Sequence, residues 1–302
     1  MLERMRVDEF LAAVLSLAKP LEPLDLPLLD AHGATLASDV FAGERLVLKA
    51  GTPIRSTQIG LAASIGLDRL PTRPLPRVVI LSAGPDLVEP GQPVSGQQEY
   101  ETNSWQLTTM VREIGGVGYR VHHIPDDEEE LRSVIEDQLV RADMVVLSGE
   151  RHDDSFDLIT RTLNQIGSVK TAELDIDGSG RHNFGTIGPD NTPVITLPGD
   201  PIAAYISMQL FVRPVIRTMF GAREIHCPAV KARMGKTVSD LSGKRTYLRA
   251  LISEDKKTVN ALSEQDEFVT LASANSLIAV SDGAKQLGSG EEVTVVILPK
   301  IK

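Results

Sequence analysis

Three short apolar runs in this chain each end at a residue that could contact a ligand. Runs of this length, bounded by turn residues, are typical of strands that are buried on both faces. The runs, each with the residue that follows it, are 78–81 before Ser82, 144–147 before Ser148, and 194–197 before Pro198. If the strands are parallel neighbours, these three residues meet at one edge of a sheet.

Helical patterns lie between and after these runs. Apolar residues recur at helical spacing in 104–114, 128–140, 157–166 and 203–219. Strands that alternate with helices predict a parallel sheet with helices on both faces, which is an α/β three-layer fold. In such sheets ligands bind at the carboxyl ends of the strands. The loops that begin at Ser82, Ser148 and Pro198 are therefore the default binding site.

Changes of pattern divide the chain into three predicted regions. A helical pattern fills the first 20 residues, a second one fills 57–66, and three prolines within 71–76 predict a linker. From about residue 228, short alternating segments predict an all-β domain. We therefore predict an N-terminal linker or dimerisation region over 1–75, an α/β domain over 76–222, and a C-terminal β domain over 223–302.

Composition and charge argue against several classes of function. A net charge of −10 is unfavourable for general binding to nucleic acid or to anionic membranes. No apolar run is long enough to insert into a membrane, and the N-terminus does not resemble a signal peptide. The single cysteine, Cys227, cannot form an internal disulfide and fits a reducing compartment. The expected location is the cytoplasm.

Several motifs resemble those of the molybdopterin molybdotransferases, the family that includes the C-terminal part of gephyrin. Each motif is weak alone, but their order and spacing together are specific, and the resemblance runs from about residue 51 to the end. The matching segments are 83–91 (AGPDLVEPG), Asn103, Asp126 with Asp127, 148–157 (SGERHDDSFD), 197–204 (LPGDPIAA) and 274–278 (ANSLI).

The resemblance implies an enzyme of molybdenum cofactor biosynthesis, with adenylated molybdopterin and molybdate as substrates and Mg²⁺ as cofactor. It implies catalytic positions at Asp86, Asp126 and Asp157, with Asp157 also as the metal ligand. It further implies a molybdopterin-binding set at Ser82, Gly84, Asn103, Ser148, Gly149, Pro198, Gly199 and Pro201. Simpler explanations are a helix cap at Asp126 or Asp127, solvated carboxylates at the other acids, and turn formation by the prolines.

The chain departs from the family pattern in three places. The family has an extra domain before the sheet domain, whereas here 36–40 lead almost directly to 50–53. The family's lysine-rich stretch aligns with 173–181, where Glu173 and Asp177 replace two lysines and Gly180 a third. Its glycine-rich loop contains Glu150 and Asp154 here. These changes replace attraction for an oxyanion by repulsion, so impaired catalysis is expected.

Histidines offer two further metal-site candidates. His122 and His123 are adjacent on a predicted strand, so they face opposite ways and cannot chelate one ion together. His152 and the acids of 153–157 could hold a divalent cation, but a solvated acidic loop is the simpler interpretation.

The sequence leaves two functions open. The first is a molybdotransferase-like enzyme, and the second is a gephyrin-like scaffold that binds a peptide in an acidic cleft without catalysis. Because the family pairs through its N-terminal region, and this region is small here, we expect a homodimer.

Overall fold

The computed structural model describes residues 2–84, 86–121, 127–149, 153–178, 180–262 and 267–299. The strands in chain order are β1 (Leu2–Met5), β2 (Leu24–Pro27), β3 (Thr35–Leu36), β4 (Val40–Ala42), β5 (Arg45–Leu48), β6 (Arg69–Arg73), β7 (Arg77–Ser82), β8 (Leu87–Val88), β9 (Glu99–Tyr100), β10 (Val117–Arg120), β11 (Met144–Ser148), β12 (Gly167–Leu174), β13 (Arg181–Ile187), β14 (Thr192–Leu197), β15 (Ala229–Met234), β16 (Thr246–Ile252), β17 (Thr258–Ala261), β18 (Ser276–Val280) and β19 (Glu292–Ile297). The helices are α1 (Val7–Leu15), α2 (Ser56–Ser64), α3 (Asn103–Ile114), α4 (Glu128–Leu139), α5 (Asp153–Ile166), α6 (Pro201–Ser207), α7 (Arg213–Met219) and α8 (Glu267–Ser273).

The main sheet has the strand order β1-β12-β13-β14-β11-β7-β10. Neighbouring strands in this sheet are parallel, except that β13 is antiparallel to both β12 and β14. The predicted parallel sheet is confirmed. The sequence did not predict β12 and β13, because polar residues interrupt both strands and hide their period.

Alternate residues of the central strands face two separate cores. Val78 and Ile80 of β7 belong to a core shared with α1, α3, α6 and α7, while Val79 and Leu81 belong to a second core shared with α4 and α5. All four side chains are fully buried, and burial of one such side chain contributes about 1.5–3 kcal/mol. This arrangement is the expected three-layer α/β architecture.

The sequence pattern predicts one regular helix after β14, but this helical segment is interrupted. The segment Met208–Val212 forms a π-helical turn between α6 and α7. Pro214 accounts for the interruption, because proline has no N–H and its ring clashes with the carbonyl group four residues earlier. A widened turn relieves that clash.

The first 75 residues form two parts and not one region. β1 pairs in parallel with β12, and Phe10 of α1 is fully buried in the core of the main sheet. The prediction of a helix from the first residues is therefore wrong for Leu2–Met5, where pairing with β12 outweighs the helical pattern. The remainder forms a small unit with its own core, made of the sheet β2-β6-β3, the hairpin β4-β5 and α2.

A strand lies where the prolines predict a linker, so that prediction is wrong for β6. Pro71 lies opposite Asp25 of β2, and its carbonyl accepts a hydrogen bond from the backbone N–H of Ala37 (2.8 Å). A proline is tolerated here because the position uses the carbonyl, which proline retains. The domain boundaries near 75 and 222 remain predictions.

The C-terminal segment closes into a barrel in the order β15-β17-β16-β18-β19. Its interior is a separate apolar core. The predicted all-β domain thus also contains one short helix, α8, before β18. Across the described part of the chain, no helix has the length and apolar character needed to cross a membrane.

A buried histidine lies inside the main core. His182 of β13 has no exposed surface, its Nδ1 lies 2.8 Å from the carbonyl oxygen of Thr196, and its ring centroid is 5.3 Å from that of Phe10. Burial lowers the pKa of His182 from 6.5 to about 4, against the opposing effect of the hydrogen bond to Thr196. His182 is therefore neutral at pH 7.

The free energy of unfolding should fall as the pH drops from 6.5 towards 4. In this range the unfolded chain binds a proton at His182 and the folded chain does not, so acid favours unfolding. The expected loss is about 2 kcal/mol between pH 7 and pH 5. Urea unfolding at both pH values measures it, and His182→Phe should show a smaller loss. Equal pH dependence in the two proteins would contradict this assignment.

Candidate functional site

The ends of β7, β11 and β14 lie side by side at the carboxyl edge of the main sheet. Ser148 pairs with Ser82 on one side and with Leu197 on the other. The Oγ atoms of Ser82 and Ser148 are 3.2 Å apart, and both residues are buried. The predicted meeting of the three loops is thus confirmed, while their role in binding stays a prediction.

A buried carboxylate, that of Glu101, organises this edge. The residue is 1% exposed, and its Oε1 accepts hydrogen bonds from Ser82 Oγ (2.7 Å) and from the backbone N–H of Ser104 (2.7 Å). Its Oε2 accepts a hydrogen bond from Ser104 Oγ. Because Ser104 lies in the first turn of α3, the negative charge is at the positive end of the helix dipole, which stabilises it.

Arg120, the last residue of β10, balances this charge. Its Nη2 donates to Glu101 Oε2 (3.2 Å) and also to Glu89, and its Nε donates to Ser104 Oγ (2.6 Å). Its guanidinium lies 4.1 Å from the ring centroid of Trp105. One cation therefore serves two carboxylates, and the cluster keeps a net negative charge.

The loop between β7 and α3 folds back over this edge. Its short strands β8 and β9 pair in parallel, with Glu99 N–H donating to the carbonyl of Asp86 (2.9 Å) and Glu101 N–H to that of Val88 (2.8 Å). These backbone hydrogen bonds place Glu99 and Glu101 near the carboxyl edge of the main sheet.

A pocket opens between this loop and the starts of α3 and α6. The described residues that line it are Leu87, Glu99, Tyr100, Glu101, Thr102, Asn103, Gly149, Gly199 and Pro201. Four of them, Asn103, Gly149, Gly199 and Pro201, belong to the predicted binding set. The lining described here contains two carboxylates and no cation.

Asn103, one of the residues that line this pocket, has a buried oxygen without a hydrogen-bond partner. Its Nδ2 donates to the carbonyl of Gly199 (2.8 Å), which determines the orientation of the amide. The opposite atom, Oδ1, is buried and has no hydrogen-bond partner, and the residue is only 5% exposed. An unpaired buried acceptor costs about 1–3 kcal/mol.

The other residues predicted for the site are not among those that line this pocket. Gly84 is buried with φ 153°, a conformation that side chains disfavour, and Pro198 follows β14. Asp157 of α5 is half-exposed, and its Oδ1 lies 3.4 Å from Nη1 of Arg181. Six of the positions considered in the sequence lie outside the described residues. They are Asp126, Glu150, His122, His123, His152 and the side chain of Asp154.

Helix capping explains two acidic residues. Asp127 Oδ1 accepts a hydrogen bond from Glu130 N–H (2.8 Å), so Asp127 is the N-cap of α4. Asp200 Oδ1 accepts from Ile202 N–H (3.1 Å) and Ala203 N–H (2.9 Å), and Pro201 begins α6. The turn-forming explanation for Pro201 is consistent with this geometry.

The stretch that aligns with the family's lysines ends β12 and leads into β13. Glu173 forms an ion pair with Arg4 of β1, its register partner (Nε–Oε2 3.2 Å). Asp177 is exposed, and its Oδ2 lies 3.5 Å from Thr246 Oγ1 of the barrel. Where the family has cations, Glu173 is thus paired with β1 and Asp177 lies beside the barrel.

The described residues do not assemble a magnesium site. Within them, no group of three or more His, Cys, Asp and Glu side chains is placed to hold a metal ion. Asp157, the expected ligand, faces a guanidinium. The magnesium expectation stays a prediction, and no step below depends on a metal.

Sequence reasoning missed Glu101 and Arg120. The available signal was an acidic residue two positions before a predicted helix, where a carboxylate stabilises the first turn. Arg120 gave no signal, because its partners are 16 to 31 residues away in the chain.

Comparisons with known proteins agree with this architecture. A family model described as "Probable molybdopterin binding domain" matches residues 79–218. Molybdopterin molybdenumtransferase 1 of Mycobacterium tuberculosis is 30% identical over 269 residues, which cover 86% of this chain and 63% of that protein. Gephyrin of Dictyostelium discoideum is 24% identical over 304 residues, covering 88% of this chain and 42% of gephyrin. The chain thus spans less than two thirds of either relative.

A solved structure shares the fold. The molybdopterin biosynthesis MoeA protein from Pyrococcus horikosii superposes with a TM-score of 0.85 at 18% sequence identity. The match covers 99% of this chain and 100% of that chain.

Removal of the Arg120 guanidinium should strongly destabilise the fold. Arg120→Ala leaves the buried carboxylate of Glu101 without its counter-charge, which costs about 3–5 kcal/mol. The matched control is Arg132→Ala, which breaks an exposed pair with Glu136 on α4 and should cost about 0.5 kcal/mol or less. Urea unfolding measures both. Adding Glu101→Gln to Arg120→Ala should recover part of the loss, and equal effects of the two arginine variants would refute the role given to Arg120.

Proposed function

We propose that this chain, a MoeA-like member of the molybdopterin molybdenumtransferase family, acts in molybdenum cofactor biosynthesis and binds molybdopterin at the carboxyl edge of β7, β11 and β14. The observation that carries the proposal is the pocket at this edge. There Asn103, Gly149, Gly199 and Pro201 come together from three separate loops. The glycines have no side chains to keep a ligand from the backbone.

We further propose that insertion of molybdate is impaired. An oxyanion near the end of β12 would meet Asp177 and also Glu173, which is paired with Arg4. At an effective dielectric constant of about 20, unit charges about 4 Å apart interact by about 4 kcal/mol before screening. About a third of this repulsion, about 1.4 kcal/mol, would weaken binding of molybdate tenfold.

A non-enzymatic scaffold is the second candidate function. The observation in its favour is the acidic pocket lining, with Glu99 and Glu101 and no described cation, which suits a basic peptide. A basic peptide that binds the unaltered protein, together with absence of molybdopterin binding, would favour this candidate over the first.

The first test is reconstitution of the insertion reaction. Purified protein, adenylated molybdopterin, molybdate and Mg²⁺ are combined, and activation of an apo-molybdoenzyme is measured. We expect binding of molybdopterin in equilibrium dialysis but little activation compared with a full-length relative. Turnover equal to that of the relative would disprove the impairment.

Positive charge at Glu173 and Asp177 should strengthen binding of molybdate if the acids at these positions weaken it. The double variant Glu173→Lys and Asp177→Lys should bind molybdate more tightly than the unaltered chain, by roughly tenfold or more. Its control carries the same change in charge at two exposed loops, with Glu44→Lys and Glu254→Lys. A gain of equal size in the control would mean that net charge, and not the position of the acids, limits molybdate binding.

We also propose that the chain is a cytoplasmic homodimer that pairs through its N-terminal unit. The hairpin β4-β5 exposes Phe41 (53%) directly opposite Leu46 (44%), and Leu29 is 84% exposed. Apolar surface of this kind on one small unit favours association.

Light scattering at micromolar concentration should therefore give the mass of a dimer. Phe41→Asp with Leu46→Asp places two charges in the contact and should shift the protein to monomer. Leu251→Asp, at an equally exposed position of the barrel, should not. A monomeric unaltered chain, or a dimer that survives the double substitution, would remove this proposal.

A further inference from the structure

We propose that a groove at the opposite edge of the main sheet, where α4 extends past the end of α5, docks a short segment of a partner protein that carries apolar side chains and a basic one. The groove has a volume of about 450 Å³ and lies beside Thr192, the first residue of β14. The candidate site follows the last residue of the same strand, about 17 Å away. This surface is therefore separate from the pocket at the carboxyl edge, and its role does not depend on the proposed function.

The groove exists because α4 and α5 are offset along their length. Glu128, in the first turn of α4, forms an ion pair with Arg161 of α5 (Oε2–Nε 3.1 Å) and accepts a hydrogen bond from Gln165, in the last turn of α5. The start of α4 thus lies beside the end of α5. The rest of α4, from Arg132 to Leu139, continues past that end for about 10 Å, or two helical turns.

Apolar side chains line much of this groove. Leu139 and Ile166 are partly buried at the margin of the core under α4 and α5, and Pro189 is exposed on the turn between β13 and β14. Val140, which follows α4 directly, is 89% exposed. Covering these side chains removes apolar surface from water, which favours association.

The charge that remains unpaired around the groove is negative. Arg132, the cation of the described lining, forms an ion pair with Glu136 (3.0 Å), whereas Asp190 is exposed and has no ion-pair partner within the described part of the chain. Arg141, just beyond α4, lies over the ring of Tyr119. Both α4 and α5 end at the groove without a basic residue in the last turn, so the partial negative charge of two helix C-termini adds to that of Asp190.

A chain segment with apolar residues and one lysine or arginine satisfies both features. Its apolar side chains would cover Val140 and Ile166, and its cation would meet Asp190 and the two helix ends. Because much of the lining is exposed, the groove suits a segment laid along α4 better than a small molecule, which is normally enclosed on most sides. An acidic segment would meet charge of its own sign.

Fluorescence anisotropy with three labelled peptides tests the chemistry of the partner. The probe is a capped peptide with two leucines one helical turn apart, followed by one arginine. The matched peptides carry glutamate in place of the arginine, or alanine in place of both leucines. We expect the probe to bind at least about fivefold more tightly than either matched peptide. Equal affinity for the probe and for either matched peptide, or absence of binding up to the solubility of the protein, would overturn the inference.

Reversal of one charge locates the binding. Asp190→Lys should weaken binding of the arginine peptide and strengthen binding of the glutamate peptide, each by about fivefold. Glu254→Lys makes the same change in charge on an exposed loop of the barrel and should leave both affinities unchanged. Both positions are exposed, so both variants should fold. Equal effects of the two substitutions would show that net charge governs binding, and the groove would lose its assignment.

The mass of the protein in solution distinguishes a partner protein from a second copy of this chain. Val140→Ser removes exposed apolar surface from the groove, so it should weaken binding of the probe. It should leave the mass measured by light scattering at micromolar concentration unchanged. A change in mass would assign the groove to a second copy, and unchanged binding of the probe would exclude Val140 from the contact. Either result would contradict the proposed docking.

Discussion

Parallel pairing between β7, β11 and β14 sets the position of every part of the candidate site. Ser148 lies opposite both Ser82 and Leu197, so three loops that are far apart in the chain begin within neighbouring strand spacings of about 4.8 Å. The two cores on either face of the sheet maintain this register. A slip of one residue would exchange the side chains that face α3 with those that face α4 and α5, and neither core could repack.

The buried carboxylate of Glu101 is stable only because this register supplies its partners. Ser82 comes from the end of β7, Ser104 from the start of α3, and Arg120 from the end of β10. Each partner alone would leave the charge poorly compensated, since a buried ion is costly without several hydrogen bonds. Together they engage both carboxylate oxygens of Glu101.

The described charges are distributed unevenly along the carboxyl edge of the main sheet. At β11 the described surface is acidic and rich in acceptors. At β12, Glu173 is paired with Arg4, and Asp177 lies beside Thr246 of the barrel.

The α/β class, the central strands and the C-terminal β domain follow from sequence alone. Each rests on a local signal, the apolar run or the alternation, that burial on both faces or on one face imposes on neighbouring residues. The loops at Ser82, Ser148 and Pro198 could likewise be placed at one edge, since parallel strands share a direction. Resemblance to a known family supplied Asn103, Gly149 and Gly199, which the pattern of apolar residues does not distinguish.

Contacts between distant segments determined the features that local sequence did not predict. β1 and β6 became strands against their local signals, because pairing with β12 and with β2 satisfies their backbone groups. The role of Glu101 depends on Arg120, 19 residues away, and the effect of Glu173 depends on Arg4, 169 residues away. Local sequence determined which residues are strand, helix or turn, whereas charge compensation and hydrogen-bond satisfaction act through space and were set only by the folded chain.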